Sequence, residues 1–201
     1  MEVDEYLTIK VPSQGVFKDR KSRFIGLTFP ILTENSFKQT IKQIKKDYND
    51  ASHHCYAYVL GLNRNTFHSS DDGEPANTAG VQILGQINAK QLTNILVVVV
   101  RYFGGIKLGV PGLINSYRQA TSEALNNAEI IKEFEKSNFK INFKYQQISY
   151  IMNLLKEYKC QINSKIFELE CNIDFKIRKS FEPDLLKKIN SIKNITIQTI
   201  N

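Results

Sequence analysis

Three carboxylates within four residues, Asp71, Asp72 and Glu74, surround Gly73. Glycine lets the chain turn tightly enough for such groups to converge on a cation, a proton or an arginine. His68 lies just upstream, and His53 and His54 open a strand-like segment before it. With His53, Asp72 and Glu74 as candidate catalytic groups, the chemistry would be acid–base or metal-assisted hydrolysis of an anionic substrate held by Arg101 and Lys107. Neither an HExxH pattern nor an EF-hand loop is present, so no metal ligands are assigned and no cofactor is expected. The same residues also admit a structural reading. Asp71 and Asp72 would then cap the following turn, and Glu74 would pair with Arg101 or Lys107.

Arg101 follows four valines and precedes Gly104-Gly105. A cation at the mouth of a sheet beside exposed amides could hold a phosphate or a carboxylate. GxxxxGK[ST] and GxGxxG are both absent, so nucleotide binding of the usual kinds has no motif behind it. Alternatively, Arg101 bridges the acidic loop internally, and Gly104, Gly105, Gly109 and Gly112 serve positive φ and close packing. If the two loops form one recognition surface, its binding residues are Asp71, Asp72, Glu74, Arg101, Gly104, Gly105, Lys107 and Gly109. Cys55 adjoins His54, but neighbours on a strand point to opposite faces, so the two make no direct dyad. Tyr56, Tyr58, Tyr102 and Phe103 could stack on RNA bases or simply pack.

The elements that must position these groups follow from periodicity. Residues 6–11 and 23–29 read as strands, with Gly15 and the basic cluster Lys18, Arg20, Lys21 and Arg23 around the turn between them. Phe37, Ile41, Ile44 and Tyr48 recur at helical spacing after the capping candidates Asn35-Ser36. Residues 54–62 read as a strand with Cys55, Ala57 and Val59 on one face and His54, Tyr56 and Tyr58 on the other. Residues 63–75 read as a polar loop, and Thr78-Ala79-Gly80 opens a short helix. Residues 95–103 have the continuous β-branched character of a strand covered on both faces, and 113–128 form a helix after a Gly-rich turn.

All ten glycines lie at or before Gly112. The polar stretch 126–136 either ends a helix or links domains, which places a boundary near 132 and gives domains 1–132 and 133–201. The later part reads β-α-β-β-α-β: strands 140–145, 161–167, 169–177 and 195–198, a helix 149–158, and a second helix behind Pro183. That order is the ferredoxin-like signature. The fold class is therefore α+β.

The chain of 201 residues, 42% hydrophobic and 23% charged, is expected to be a soluble protein with a sizeable core. Its longest apolar run, 95–100, is far short of the roughly 20 residues that cross a bilayer. The acidic start is unlike a signal peptide, so no membrane association and a cytoplasmic location are expected. Three cysteines, Cys55, Cys160 and Cys171, form no CxxC pair and are read as reduced thiols. The net charge is +7, and residues 131–201 hold 13 Lys/Arg against 8 Asp/Glu. This excess favours RNA, a ribosome or an acidic protein as partner, although coding bias toward Lys, Asn and Ile would also produce it.

The motif Ser70-Asp71-Asp72-Gly73-Glu74-Pro75, with Thr78-Ala79-Gly80 and then Val97-Val98-Val99-Val100-Arg101-Tyr102-Phe103-Gly104-Gly105-Ile106-Lys107-Leu108-Gly109, resembles the YigZ/IMPACT family in its bacterial two-domain branch. Matching positions also include His53, Cys55, Ala57, Gly112 and Leu113. Asn77 stands where glycine is usual, and Val110-Pro111 replaces small residues, so Pro111 is expected to stiffen that loop and remove a backbone donor. The resemblance implies an N-terminal α/β domain like domain IV of elongation factor G and a ferredoxin-like C-terminal domain like that factor's domain V. It also implies a link to translation, since eukaryotic relatives regulate translation under stress through a protein partner. The leading expectation is a translation-associated regulatory protein that binds RNA or the ribosome, with the question of catalysis left open but leaning against it. The alternatives are a hydrolase acting on an anionic substrate and a protein-binding module.

Overall fold

A strand as apolar as 95–100 needs a layer on each side of its sheet, and both layers are present in the structure, a computed structural model that describes residues 4–200. The chain divides into two compact units, Tyr6–Glu133 and a second made of residues 134–200 with Asp4 and Glu5.

The first unit runs β1 (Glu5–Ile9), β2 (Ser13–Asp19), β3 (Ser22–Pro30), α1 (Glu34–Asp47), β4 (His53–Leu60), β5 (Thr66–Ser70), α2 (Gly80–Ala89), β6 (Ile95–Tyr102), α3 (Gly109–Asn126) and β7 (Ile130–Phe134). Its five-stranded sheet has the order β2-β3-β6-β4-β5 with antiparallel neighbours throughout. Ile95, Val97 and Val99 pack with Cys55, Ala57 and Val59 against Ile83 and Ile87 of α2 and Leu113, Tyr117 and Ala120 of α3. Leu96, Val98 and Val100 pack on the opposite face with Ile25, Leu27, Tyr58 and Ile44 of α1. The expected alternation of β4 and the double coverage of β6 are both observed. β1 and β7 form a separate two-stranded sheet.

Four local expectations are corrected. Residues 13–19, read as part of a turn, are strand β2; the turn is the two-residue Arg20-Lys21, with φ of 41° and 67°. Positive φ at both positions matches the right-handed twist of the hairpin. Residues 66–70, read as loop, are the edge strand β5. Helix α1 is capped by Thr33, whose side chain accepts from Ser36 N, instead of by Asn35 or Ser36. Helix α3 begins at Gly109, so Pro111 lies in its first turn, where the missing N–H has no helical partner to lose. The expected penalty of Pro111 on a loop therefore does not arise.

The second unit runs β8 (Lys136–Lys144), α4 (Ile148–Glu157), β9 (Gln161–Ile166), β10 (Glu170–Arg178), α5 (Glu182–Asn190) and β11 (Thr196–Thr199), with sheet order β11-β8-β10-β9. Phe139, Ile141, Phe143, Ile173 and Phe175 on one face of the sheet bury Ile151, Leu154 and Leu155 of α4 and Leu185 and Ile189 of α5. Asp4 is fastened into this unit. Its carboxylate accepts Arg178 Nη2 at 2.7 Å and Ser180 N at 2.8 Å, and the guanidinium lies 3.8 Å from the Phe134 ring centroid. Hydrogen bonds from Arg178 hold the Asp4 carboxyl well below the usual range, against the raising effect of burial. No helix among the described residues is long and apolar enough to cross a membrane.

Candidate functional site

The acidic loop leaves β5 and enters α2, and each of its carboxylates has a separate task. Asp71 Oδ1 accepts the N–H groups of Ala79 and Gly80 at 2.9 and 2.8 Å, while Oδ2 accepts that of Asn77 at 2.9 Å. It thus serves the start of α2, whose own cap position, Ala79, has no side-chain acceptor. Asp72 Oδ2 accepts His54 N at 2.7 Å, and Oδ1 accepts Lys45 Nζ of α1 at 2.9 Å. Burial would raise the Asp72 carboxyl, but the bonds from Lys45 and His54 outweigh it and hold the group below its ordinary value.

Glu74 turns inward. Its Oε1 accepts Arg101 Nη1 at 2.5 Å and the Tyr117 hydroxyl at 2.7 Å. The Glu74 and Arg101 side chains are only 3% and 7% exposed, so the pair is nearly sealed from water. The guanidinium carbon of Arg101 is 5.4 Å from the Phe24 ring centroid and 5.5 Å from that of Phe103. The Cys55 thiol donates to the Asp71 carbonyl at 3.0 Å and lies 3.3 Å from the Tyr117 hydroxyl. Burial pushes both Cys55 and Tyr117 up, so neither ionises near neutrality.

The histidines flank this cluster. His53 Nδ1–H donates to the Asp72 carbonyl at 2.9 Å, leaving Nε2 at 3.9 Å from Glu74 Oε1. His54 Nε2–H donates to the Tyr48 carbonyl at 2.9 Å. His68 is elsewhere, exposed beside Tyr56 and Tyr58. Among the described residues, no group of three or more His, Cys, Asp or Glu is placed to hold a metal ion.

His53, Asp72 and Glu74 therefore come together, but as a closed network. Glu74 holds both an arginine and a tyrosine on one buried oxygen, turned away from solvent. Of the two partners foreseen for Glu74, Arg101 makes the bond, while Lys107 stands exposed. The second loop and the first turn of α3 present Phe103, Ile106 and Val110 at 49%, 43% and 51% exposure. Gly105 and Gly109 hold it at φ of 84° and 73°, and a Cβ on Gly104 would lie 2.1 Å from the Lys21 carbonyl carbon. That crowding requires glycine at Gly104.

Sequence reasoning missed Tyr117 and Lys45. Tyr117 lies on the buried stripe of α3 with Leu113, Ala120 and Ala124, where apolar periodicity absorbs it. A tyrosine on such a stripe needs a hydroxyl partner, and that was the available signal.

Fold and site together define a two-unit mixed α/β protein whose acidic loop is tied to the end of β6 by a buried ion pair. Residues 20–125 match the Impact N-terminal domain. The chain is 33% identical to IMPACT family member YvyE of Bacillus subtilis, across 94% of this chain and 89% of that protein. It is 36% identical to an IMPACT family member of Haemophilus influenzae, across 92% of each. A solved structure described as that of a hypothetical protein superposes with a TM-score of 0.74 at 27% identity, covering 99% of this chain and 98% of the other. The chain belongs to the IMPACT family.

Proposed function

We propose that this IMPACT-family protein is a translation-associated regulator that works by binding a ribosomal or RNA–protein surface in the cytoplasm, without catalysis. The observation that carries the reading is the closure of Glu74 on Arg101 and Tyr117 while Phe103, Ile106, Lys107 and Val110 remain outside. Ionisable groups consumed internally, beneath an exposed apolar and cationic loop, suit recognition better than turnover. In this reading Asp71, Asp72, Glu74 and Arg101 lock the two loops, Gly104, Gly105 and Gly109 shape the second, and Lys107 meets the partner.

The link to translation rests on the family resemblance. We read the first unit as like domain IV of elongation factor G. The β-α-β-β-α-β order and the sheet order β11-β8-β10-β9 support a ferredoxin-like second unit. Ribosome co-sedimentation at low and moderate salt tests the proposal. The intact chain is expected to sediment at low salt and a Phe103→Ala, Lys107→Ala double variant to remain in solution. Failure of the intact chain to sediment even at low salt defeats the reading. The exposed apolar side chains of the second loop favour one other reading, a module for a single protein partner. One stoichiometric protein captured without RNA would favour it.

A further inference from the structure

The helices of the second unit cover one face of its sheet, and the other face is a patterned polar surface. Phe139, Ile141 and Phe143 of β8 point into the core, so Asn138, Lys140, Asn142 and Lys144 point away from it. Register extends the pattern to β10, where Lys140 stands opposite Asp174, Asn142 opposite Asn172 and Asn138 opposite Lys176. On the flanking strands Gln198 adjoins Lys140 and Gln161 adjoins Lys176.

We propose that this helix-free face binds base-paired RNA through phosphates and ribose hydroxyls, an inference that rests on the RNA-contact reading above. Charge sets the sign of the partner. Asp174 is engaged by the Ser164 hydroxyl at 2.8 Å and has Lys140 Nζ at 3.9 Å, and Glu170 stands opposite Lys144. Lys140, Lys144 and Lys176 outnumber these two acids, while Arg178 is committed to Asp4. Lys140 and Lys144 are four residues apart on one strand, or about 13 Å, a spacing that reaches separate phosphates.

The amides decide which polyanion fits. Asn142, Asn172, Gln161 and Gln198 donate and accept hydrogen bonds, which suits phosphate oxygens and 2′-hydroxyls alike. Among the described residues the strand positions of this face are polar except Ile166 at the β9 edge. An acidic protein would find no apolar anchor in its centre. No position of β8 to β11 on it is aromatic, and the Phe134 ring beside it is already covered by the Arg178 guanidinium, so splayed single-stranded bases would have little to stack on. A duplex, which offers only its backbone and groove edges, meets both conditions.

The test uses the full chain and a fluorescently labelled RNA hairpin, with single-stranded RNA and duplex DNA of equal length as comparison probes. Lys140→Gln with Lys176→Gln is expected to weaken hairpin binding about tenfold and to lower the slope of log affinity against log salt by about one per lysine. Lys156→Gln with Lys187→Gln, on the helices of the opposite face, is expected to change affinity less than twofold. Unchanged circular dichroism and melting temperature would show that the sheet variant folds. Equal binding by the sheet variant overturns the inference, as does tighter binding to single strands or to DNA than to the hairpin. Co-sedimentation of the intact chain with ribosomes without hairpin binding overturns this face alone and leaves the wider reading standing; absence of both removes the two together.

Discussion

The Tyr117 hydroxyl and the Arg101 guanidinium share one oxygen of Glu74, at 2.7 and 2.5 Å. One buried carboxylate oxygen thereby joins helix α3, strand β6 and the acidic loop.

Removing one member leaves the others stranded. Arg101→Ala is expected to lower stability by about 3–5 kcal/mol, because an uncompensated charge stays buried. Tyr117→Phe is expected to cost about 1.5–3 kcal/mol, the range for a hydrogen bond to a charged group. Urea denaturation of the single and double variants checks both values. The double variant should fall short of the sum, since both side chains act on the same oxygen.

Two glycines should respond in opposite directions. Gly104→Ala places a methyl 2.1 Å from the Lys21 carbonyl carbon and is expected to destabilise by about 1–3 kcal/mol. Gly85 lies inside α2 with open space around it, so Gly85→Ala is expected to stabilise by about 0.5–1 kcal/mol. Thermal melts of the pair are sufficient.

Asp4 makes the second unit acid-sensitive. Its carboxyl titrates below its unfolded value, so its contribution is complete above about pH 4 and is lost as pH falls toward the folded value. Asp72 acts in the same direction in the first unit. Asp4→Asn is expected to lower the neutral-pH melting temperature and to flatten the acid limb of its pH profile. An acid limb as steep as in the unmodified chain would refute this assignment.

The thiols should separate by accessibility. Cys55 and Cys171 are fully buried, whereas Cys160 is half-buried with its thiol pushed up to about 11 by burial. Ellman's reagent at pH 8 is expected to titrate at most one thiol, slowly, in the folded chain and three after denaturation.

What could be read from the sequence follows the strength of each local pattern. The valines of β6, the alternation of β4 and the period-two run of β10 each bury a repeating set of side chains, so their strands were apparent. Strand β2 was hidden because Gly15 contributes no side chain: a Cβ there would lie 2.4 Å from Ala124 N of α3. Its turn was hidden as well, since Arg20-Lys21 takes a conformation that Asn-Gly usually marks. Strand β5 is an exposed edge with Phe67 facing solvent, and it gave no apolar rhythm. In the site, local contacts such as Asp71 with Ala79 and Gly80 were within reach of inspection. Tyr117 and Lys45 join the network through tertiary packing, 43 and 27 residues from the carboxylates they contact.

The bond between Asp4 and Arg178 spans 174 residues of chain. On a ribosome, Asp4 leaves the exit tunnel long before its partner is translated, whereas every strand of the β2-β3-β6-β4-β5 sheet is made by residue 102. The first unit can therefore mature during synthesis. The second can close only once Arg178 has been made, so a chain stalled before that point would carry Asp4 without its guanidinium partner.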